Sequence, residues 1–227
     1  MRARDAFTSL IVALLLGTAA HAFQVRPVRV DLHNRATATQ LMVHNPTTRP
    51  LLLQAEVFDW TQDDTQDALR PTQALIINPP IVEIAPGASQ VMRVGMRGPL
   101  EAGVERSFRI WLTQVATPDV PDSGVQLLMR VSLPVFVTGA GTPGPQPHWH
   151  HTGDAVELRN TGARHLQVRA IKLQSEDGHR TTLGPCYALP AGRCRWPLPS
   201  GWSGALRWEA DSDAGTLAGA LDAPPPR

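Results

Sequence analysis

Cysteine is scarce, with two in 227 residues, too few for a disulfide-dense scaffold or a four-thiolate zinc site. Charge of one sign is scarce too. Twenty-one Lys and Arg stand against twenty Asp and Glu, a formal net charge of +1, which is a poor electrostatic footprint for nucleic acid. The same near-neutrality, with 42% hydrophobic residues, excludes a disordered chain. Long apolar runs are missing beyond the first 22 residues, so nothing after them reads as a membrane helix. Sequence signatures of catalysis are absent as well: no G-x-S-x-G elbow, no Walker loop, no G-x-G-x-x-G and no H-E-x-x-H. The sequence therefore predicts no enzyme, no cofactor and no small-molecule substrate. Proline and glycine are plentiful, 21 and 18, which predicts frequent turns and few long helices.

The chain starts with an address. Arg2 and Arg4 precede an apolar run over 10–16 and then Ala20-His21-Ala22. That is a charged start, a short apolar region and an A-x-A cleavage site, the pattern of a secretory signal peptide over 1–22. The product is predicted to be exported to an oxidising compartment. There, Cys186 and Cys194, on either side of the turn residues Pro190, Ala191 and Gly192, can staple a hairpin. A metal site is the weaker reading of these cysteines, since no His or carboxylate lies near them in sequence.

The mature chain reads as strands. Leu41 and Val43 alternate with Gln40, Met42 and His44, the period of a half-buried strand. The pattern returns over 51–57, 74–78, 81–84, 90–96, 106–115 and 125–137, with 61–72 read as a polar loop. Seven or so short strands with regular turns predict a β-sandwich. The Gly/Pro-rich stretch 139–145 predicts a linker. Strands resume over 155–159, 166–173, 180–183, 187–189, 193–197 and 205–210. The fold class is thus all-β: a sandwich over 23–138 and a second all-β domain over 146–223, with a disordered tail over 224–227.

Two features call for a functional reading. His148-Trp149-His150-His151 puts two histidines on one strand face, but a further ligand of defined spacing is missing. It reads as the polar start of the second domain's first strand, and no metal is assigned. The other is the stretch 125–135, whose odd positions Val125, Leu127, Met129, Val131, Leu133 and Val135 are all apolar. It is either a long core strand or an edge whose first part offers apolar side chains to a partner.

Five stretches carry a family resemblance: Thr39-Gln40-Leu41-Met42-Val43-His44-Asn45-Pro46; Ile77-Asn78-Pro79-Pro80-Ile81-Val82-Glu83-Ile84-Ala85-Pro86-Gly87; Gln90-Val91-Met92-Arg93-Val94; Glu105-Arg106-Ser107-Phe108-Arg109; and Arg130-Val131-Ser132-Leu133-Pro134-Val135-Phe136-Val137. In this order, behind a signal peptide, the chain resembles the periplasmic pilus chaperones of the chaperone–usher pathway. The resemblance implies two immunoglobulin-like β-sandwich domains with an interdomain cleft, in a chaperone that lends a strand to a pilus subunit lacking one and delivers it to an outer-membrane usher. Val125, Leu127, Met129 and Val131 would be the strand residues in contact with the subunit. It also implies two basic residues that hold the subunit's terminal carboxylate in the cleft. The first maps onto Arg29, expected on the first strand. The second is a lysine in the best-known branch, and that position is Ser132. The departure, with Phe108-Arg109 and the Ser-Leu-Pro-Val-Phe-Val ending, resembles the archaic branch and points to Arg109, with Arg130 a further candidate. The competing reading is a secreted adhesion or carbohydrate-binding sandwich, which would display Trp149, Trp196, Trp202 or Trp208 at loop tips.

Overall fold

Alternation of apolar and polar residues decides the architecture. In the computed structural model, which describes residues 23–34, 36–63, 66–116, 127–202 and 204–223, there is no helix among the described residues. The signal peptide and the tail expected over 224–227 lie outside them, as does Val125. Strands β1 (Gln24–Arg26), β2 (Val30–His33), β3 (Ala38–His44), β4 (Leu51–Asp63), β5 (Gln66–Pro71), β6 (Leu75–Asn78), β7 (Ile81–Ile84), β8 (Ser89–Met96), β9 (Arg106–Gln114) and β10 (Arg130–Thr138) make two sheets. One runs β1-β3-β8-β6; the other runs β2-β10-β9-β4-β5, with β7 on β4. Their facing sides bury Leu41, Val43, Leu53, Met92, Phe108, Ile110, Leu112 and Val135 completely. These are the alternate residues of each strand, so the period-two signal and the core coincide.

The next eight strands form another sandwich: β11 (Pro147–His151), β12 (Ala155–Asn160), β13 (Leu166–Ser175), β14 (Arg180–Leu183), β15 (Cys186–Ala188), β16 (Arg193–Pro197), β17 (Leu206–Ser212) and β18 (Gly215–Leu221). Its sheets run β11-β12-β16 and β14-β13-β17-β18, with β15 on β13. Tryptophans sit in this second core: Trp149 stacks on Trp208 and Trp196, and Trp202 packs at its margin. Each sandwich also buries one asparagine that satisfies backbone groups of neighbouring loops, Asn45 in the first and Asn160 in the second. Buried amides survive because their hydrogen bonds are complete.

Three expectations need correction. Most of 61–72 is not a loop: 61–63 complete β4 and 66–71 form β5, a ladder pairing Trp60 with Leu69 and Gln62 with Asp67. These polar strands are held by the ladder and by contact with the second sandwich, neither of which leaves an apolar period. The strand expected to start at 125 starts at Arg130, because β9 ends at Gln114 and only the bond from Gln114 N to Met129 O continues the pairing. Asp211 and Ser212 belong to β17, and β18 follows without having been expected. Rich in Gly and Ala, β18 has little strand propensity. Gly219 lets the Trp208 indole lie close, since a Cβ there would come 3.0 Å from its nitrogen.

Between the sandwiches, Gly139 is forced: a Cβ there would collide with the Glu101 carbonyl. Cys186 and Cys194 are bonded, closing the turn between β15 and β16. For a separation of 8 residues the loop-entropy relation gives about 2–3 kcal/mol. Replacing both cysteines by serine should lower the unfolding free energy by that amount in urea titrations; a midpoint equal to that of the oxidised wild type would contradict it.

Candidate functional site

The outward face of the second sheet of the first sandwich meets the second sandwich. It is built by alternation. Phe108, Ile110 and Leu112 of β9 point into the core, so Ser107, Arg109 and Trp111 point out. On β10 the core takes Leu133 and Val135, and Arg130, Ser132, Pro134 and Phe136 share the outward side. Pairing sets Pro134 beside Arg109 and Ser132 beside Trp111, while Asp31 of β2 lies beside Phe136. The alternation fails to keep this face polar at one end. Phe136 and Trp60 are buried there with Leu189 of the second sandwich, and Tyr187 and Leu69 pack against them. This small second core joins the two sandwiches.

Beside it lies a buried ionic chain. His165 of the second sandwich stacks flat on Phe136, ring centres 3.4 Å apart. Its Nδ1 is 2.7 Å from Glu105, which also accepts the His165 backbone N–H at 2.9 Å and the Thr138 hydroxyl. On its other side Nε2 is 3.2 Å from Asp213, an ion-pair distance lacking hydrogen-bond geometry. Asp213 accepts from Arg29 at 3.0 Å and from the Gln167 backbone, and Arg29 also pairs with Asp31 at 2.9 Å. Arg29 therefore bridges the sandwiches, lying in the bend before β2 rather than on the first strand, with two carboxylates already on it. Burial works against the charge on His165, but the two carboxylates outweigh it and its pKa is raised. Burial likewise opposes ionisation of Asp213, but its pairing with His165 and the hydrogen bond it accepts from the Gln167 backbone hold it down at about 2.

Arg109 is different. Its guanidinium lies 3.6 Å from the centre of the Trp60 ring and 5.5 Å from that of Tyr187. Its nearest carboxylate, Asp67, is 3.9 Å away. Only 16% of its side-chain surface is accessible, and burial lowers its pKa from the usual arginine range. Among the described residues it donates no hydrogen bond. Two more donors at this junction, Trp60 Nε1 and Ser107 Oγ, are buried without a partner. A stacked guanidinium and orphaned donors favour an acceptor-rich, anionic ligand. Arg130 stands apart: it is exposed, lies over Trp111 and donates to Thr113.

The edge of β10 completes the arrangement. β2 pairs with it only from Val135 to Thr138, and β9 occupies its other side. Among the described residues, nothing pairs with the β2 side from Arg130 to Pro134. Since Met129 O faces β9, the backbone groups of Arg130 and Ser132 face the open edge. Pro134, which has no N–H, closes this stretch. Leu127 is 70% exposed, whereas Met129 and Val131 are half-buried against the first core. In the second sandwich, His148 and His150 face out on β11 on either side of the packed Trp149; among the described residues no group of three metal-capable side chains exists.

Glu105, His165, Asp213, Gln62 and Tyr187 escaped the sequence reading. Phe136 was the one legible signal, an aromatic at an even position of a strand whose odd positions fill the core.

Comparisons with known proteins fit this geometry. A family model described as pili and flagellar-assembly chaperone, PapD N-terminal domain, matches residues 22–143. No curated protein matches. Among solved structures, the chain is similar to the CsuC–CsuE chaperone–tip adhesion subunit complex of archaic Csu pili from Acinetobacter baumannii. That match has 19% identity and a TM-score of 0.69, over 88% of this chain and 98% of that one. It is also similar to the SafA pilin–SafB chaperone complex of Salmonella enterica, at 17% identity and TM-score 0.66 over 90% and 96%. A third is the CupB2 chaperone of Pseudomonas aeruginosa, at 18% and 0.59 over 88% and 100%. Identities this low show a shared fold.

The ionic chain makes a pH prediction. A histidine with a raised folded-state pKa contributes stability fully present below about pH 6.5 and lost as pH climbs through the folded value. Asp213, held down at about 2, contributes above about pH 4 and loses its contribution toward about 2. Stability should therefore fall from pH 6 into the alkaline range. His165→Gln should cost about 3 kcal/mol near pH 6 and flatten that slope in urea titrations. An equally steep alkaline slope in the variant would contradict the assignment.

Proposed function

The chain belongs to the pili and flagellar-assembly chaperone family, and on that premise we propose that it captures a pilus subunit by adding a strand along the open edge of β10 and holding the subunit's terminal carboxylate at Arg109. The observation that carries this reading is the junction of two features unfinished among the described residues: an unpaired edge from Arg130 to Pro134, and beside Pro134 a guanidinium with no carboxylate closer than 3.9 Å. An extended segment on that edge satisfies the outward backbone groups of Arg130 and Ser132. Its end then comes next to Arg109.

Main-chain hydrogen bonds supply affinity in such an arrangement, and alternate side chains supply register. Leu127 is the exposed apolar residue at the approach to this edge; Met129 and Val131 follow on its side, and Val125 precedes it. Arg109 is preferred to Arg29, because Arg29 is already neutralised by Asp31 and Asp213, and to Arg130, which stacks on Trp111 away from the junction. Chemistry beyond binding has no place in this reading, and it needs no cofactor. The captured subunit would pass to an outer-membrane usher, and the setting is the periplasm, as the leader over 1–22 suggests.

Two substitutions test it in cells co-expressing a pilus subunit. Leu127→Asp places a charge where an apolar side chain should enter the subunit, costing several kcal/mol, and should abolish co-purification while the chaperone stays folded. Arg109→Ala should weaken capture about tenfold or more, the size of a charge-assisted hydrogen bond, and Arg130→Ala much less. Undiminished co-purification with Leu127→Asp would overturn the edge assignment; equal effects of the two arginine variants would overturn the anchor.

A further inference from the structure

Tyr187 is the only tyrosine of the chain, and it comes from the second sandwich. Its ring packs edge-on to Trp60 at 5.3 Å and lies 5.7 Å from Phe136 and 5.5 Å from the Arg109 guanidinium. Both Arg109 and Arg29 are near enough to favour charge on its hydroxyl, yet burial outweighs them and keeps the phenol protonated. It is thus a donor at neutral pH. Among the described residues that hydroxyl has no hydrogen-bond partner.

The backbone that carries it is held from four directions. Gln62, from the first sandwich, donates to Tyr187 O at 2.7 Å and accepts from Leu189 N at 3.0 Å. Asn160 donates to the carbonyls of Ala188 and Leu189. The ladder to β13 pairs Tyr187 with Gln167, and the Cys186–Cys194 bond ties down the preceding residue. So many restraints on a side chain with a free polar end argue against a role in packing alone. A phenylalanine would pack as well.

We infer that Tyr187 is the second-domain half of the carboxylate anchor: its hydroxyl donates to the same terminal carboxylate that Arg109 binds, so the anion is held jointly by both sandwiches. This rests on the anchor reading given above. A guanidinium and a phenol on two sides of one carboxylate complete more of its acceptor sites than either alone. Capture then depends on the angle between the sandwiches, which the His165 chain and the Trp60–Phe136–Leu189 cluster fix. The clamp by Gln62 becomes a positioning contact for the anion site.

Fluorescein-labelled twelve-residue peptides of alternating apolar and polar residues, one ending in a free carboxylate and one in an amide, give the test by anisotropy. Wild type should prefer the carboxylate peptide, and Arg109→Ala should lose that preference. Tyr187→Phe should reduce the preference about tenfold and leave affinity for the amide peptide unchanged. Absence of any preference in wild type would defeat the anchor reading itself. Preference lost in Arg109→Ala but intact in Tyr187→Phe would defeat only the role of Tyr187. A parallel loss of both affinities in Tyr187→Phe, leaving their ratio unchanged, would also defeat it by showing that the residue acts through packing. Gln62→Ala, which leaves the phenol in place but releases its backbone, should reduce the same ratio; an unchanged ratio there would overturn the positioning contact.

Discussion

The Phe136 ring is the centre of the junction that makes one device of the two sandwiches. It is buried at the junction with His165 flat against one face and Trp60 and Tyr187 close by. Two kinds of interaction meet on it. The apolar cluster supplies non-directional attraction, while the chain Glu105–His165–Asp213–Arg29 supplies direction. The short segment between β10 and β11 could not fix an angle by itself. Buried charges that satisfy one another do, because removing any one leaves another unpaired in a low-dielectric site.

That fixed junction puts two arginines of the first sandwich in different surroundings. Arg29 is consumed by the structure, with a carboxylate from each sandwich on it. Arg109 rests on an indole face with its charge only distantly answered. The distinction is energetic. A guanidinium already bonded through Nε to one carboxylate and through Nη1 to a second gains little from another anion, whereas one that is desolvated and under-neutralised gains much. Ser132 carries no charge, and Arg109 lies on the neighbouring strand, two residues along the register.

The core and the strand order were legible because burial imposes a period. Leu41, Val43, Phe108, Ile110 and Leu112 could be read off as inward residues, and β14 and β16 match their expected limits. The β4–β5 hairpin was not legible, since its polar strands are held by pairing and by Gln62 reaching into the second sandwich. β18 was hidden for a different reason: its glycine and alanine residues answer to Trp208, not to strand propensity. In the site, Arg109 could be placed on the outward face from the alternation of β9 alone. His165, Asp213 and Tyr187 could not. They join the site only through the angle between the sandwiches, and no local pattern encodes a contact between residues 105, 165 and 213.

The central claim is that the open edge of β10 is where the subunit's strand is added. Hydrogen exchange read by mass spectrometry, on the chaperone alone and on its co-purified complex with a pilus subunit, tests it most directly. Peptides covering 127–134 should gain strong protection in the complex, with little change over β6, β11 and β18, three of the other strands at sheet edges among the described residues. Protection concentrated on one of those edges, with 127–134 exchanging as fast as in the free protein, would contradict the account.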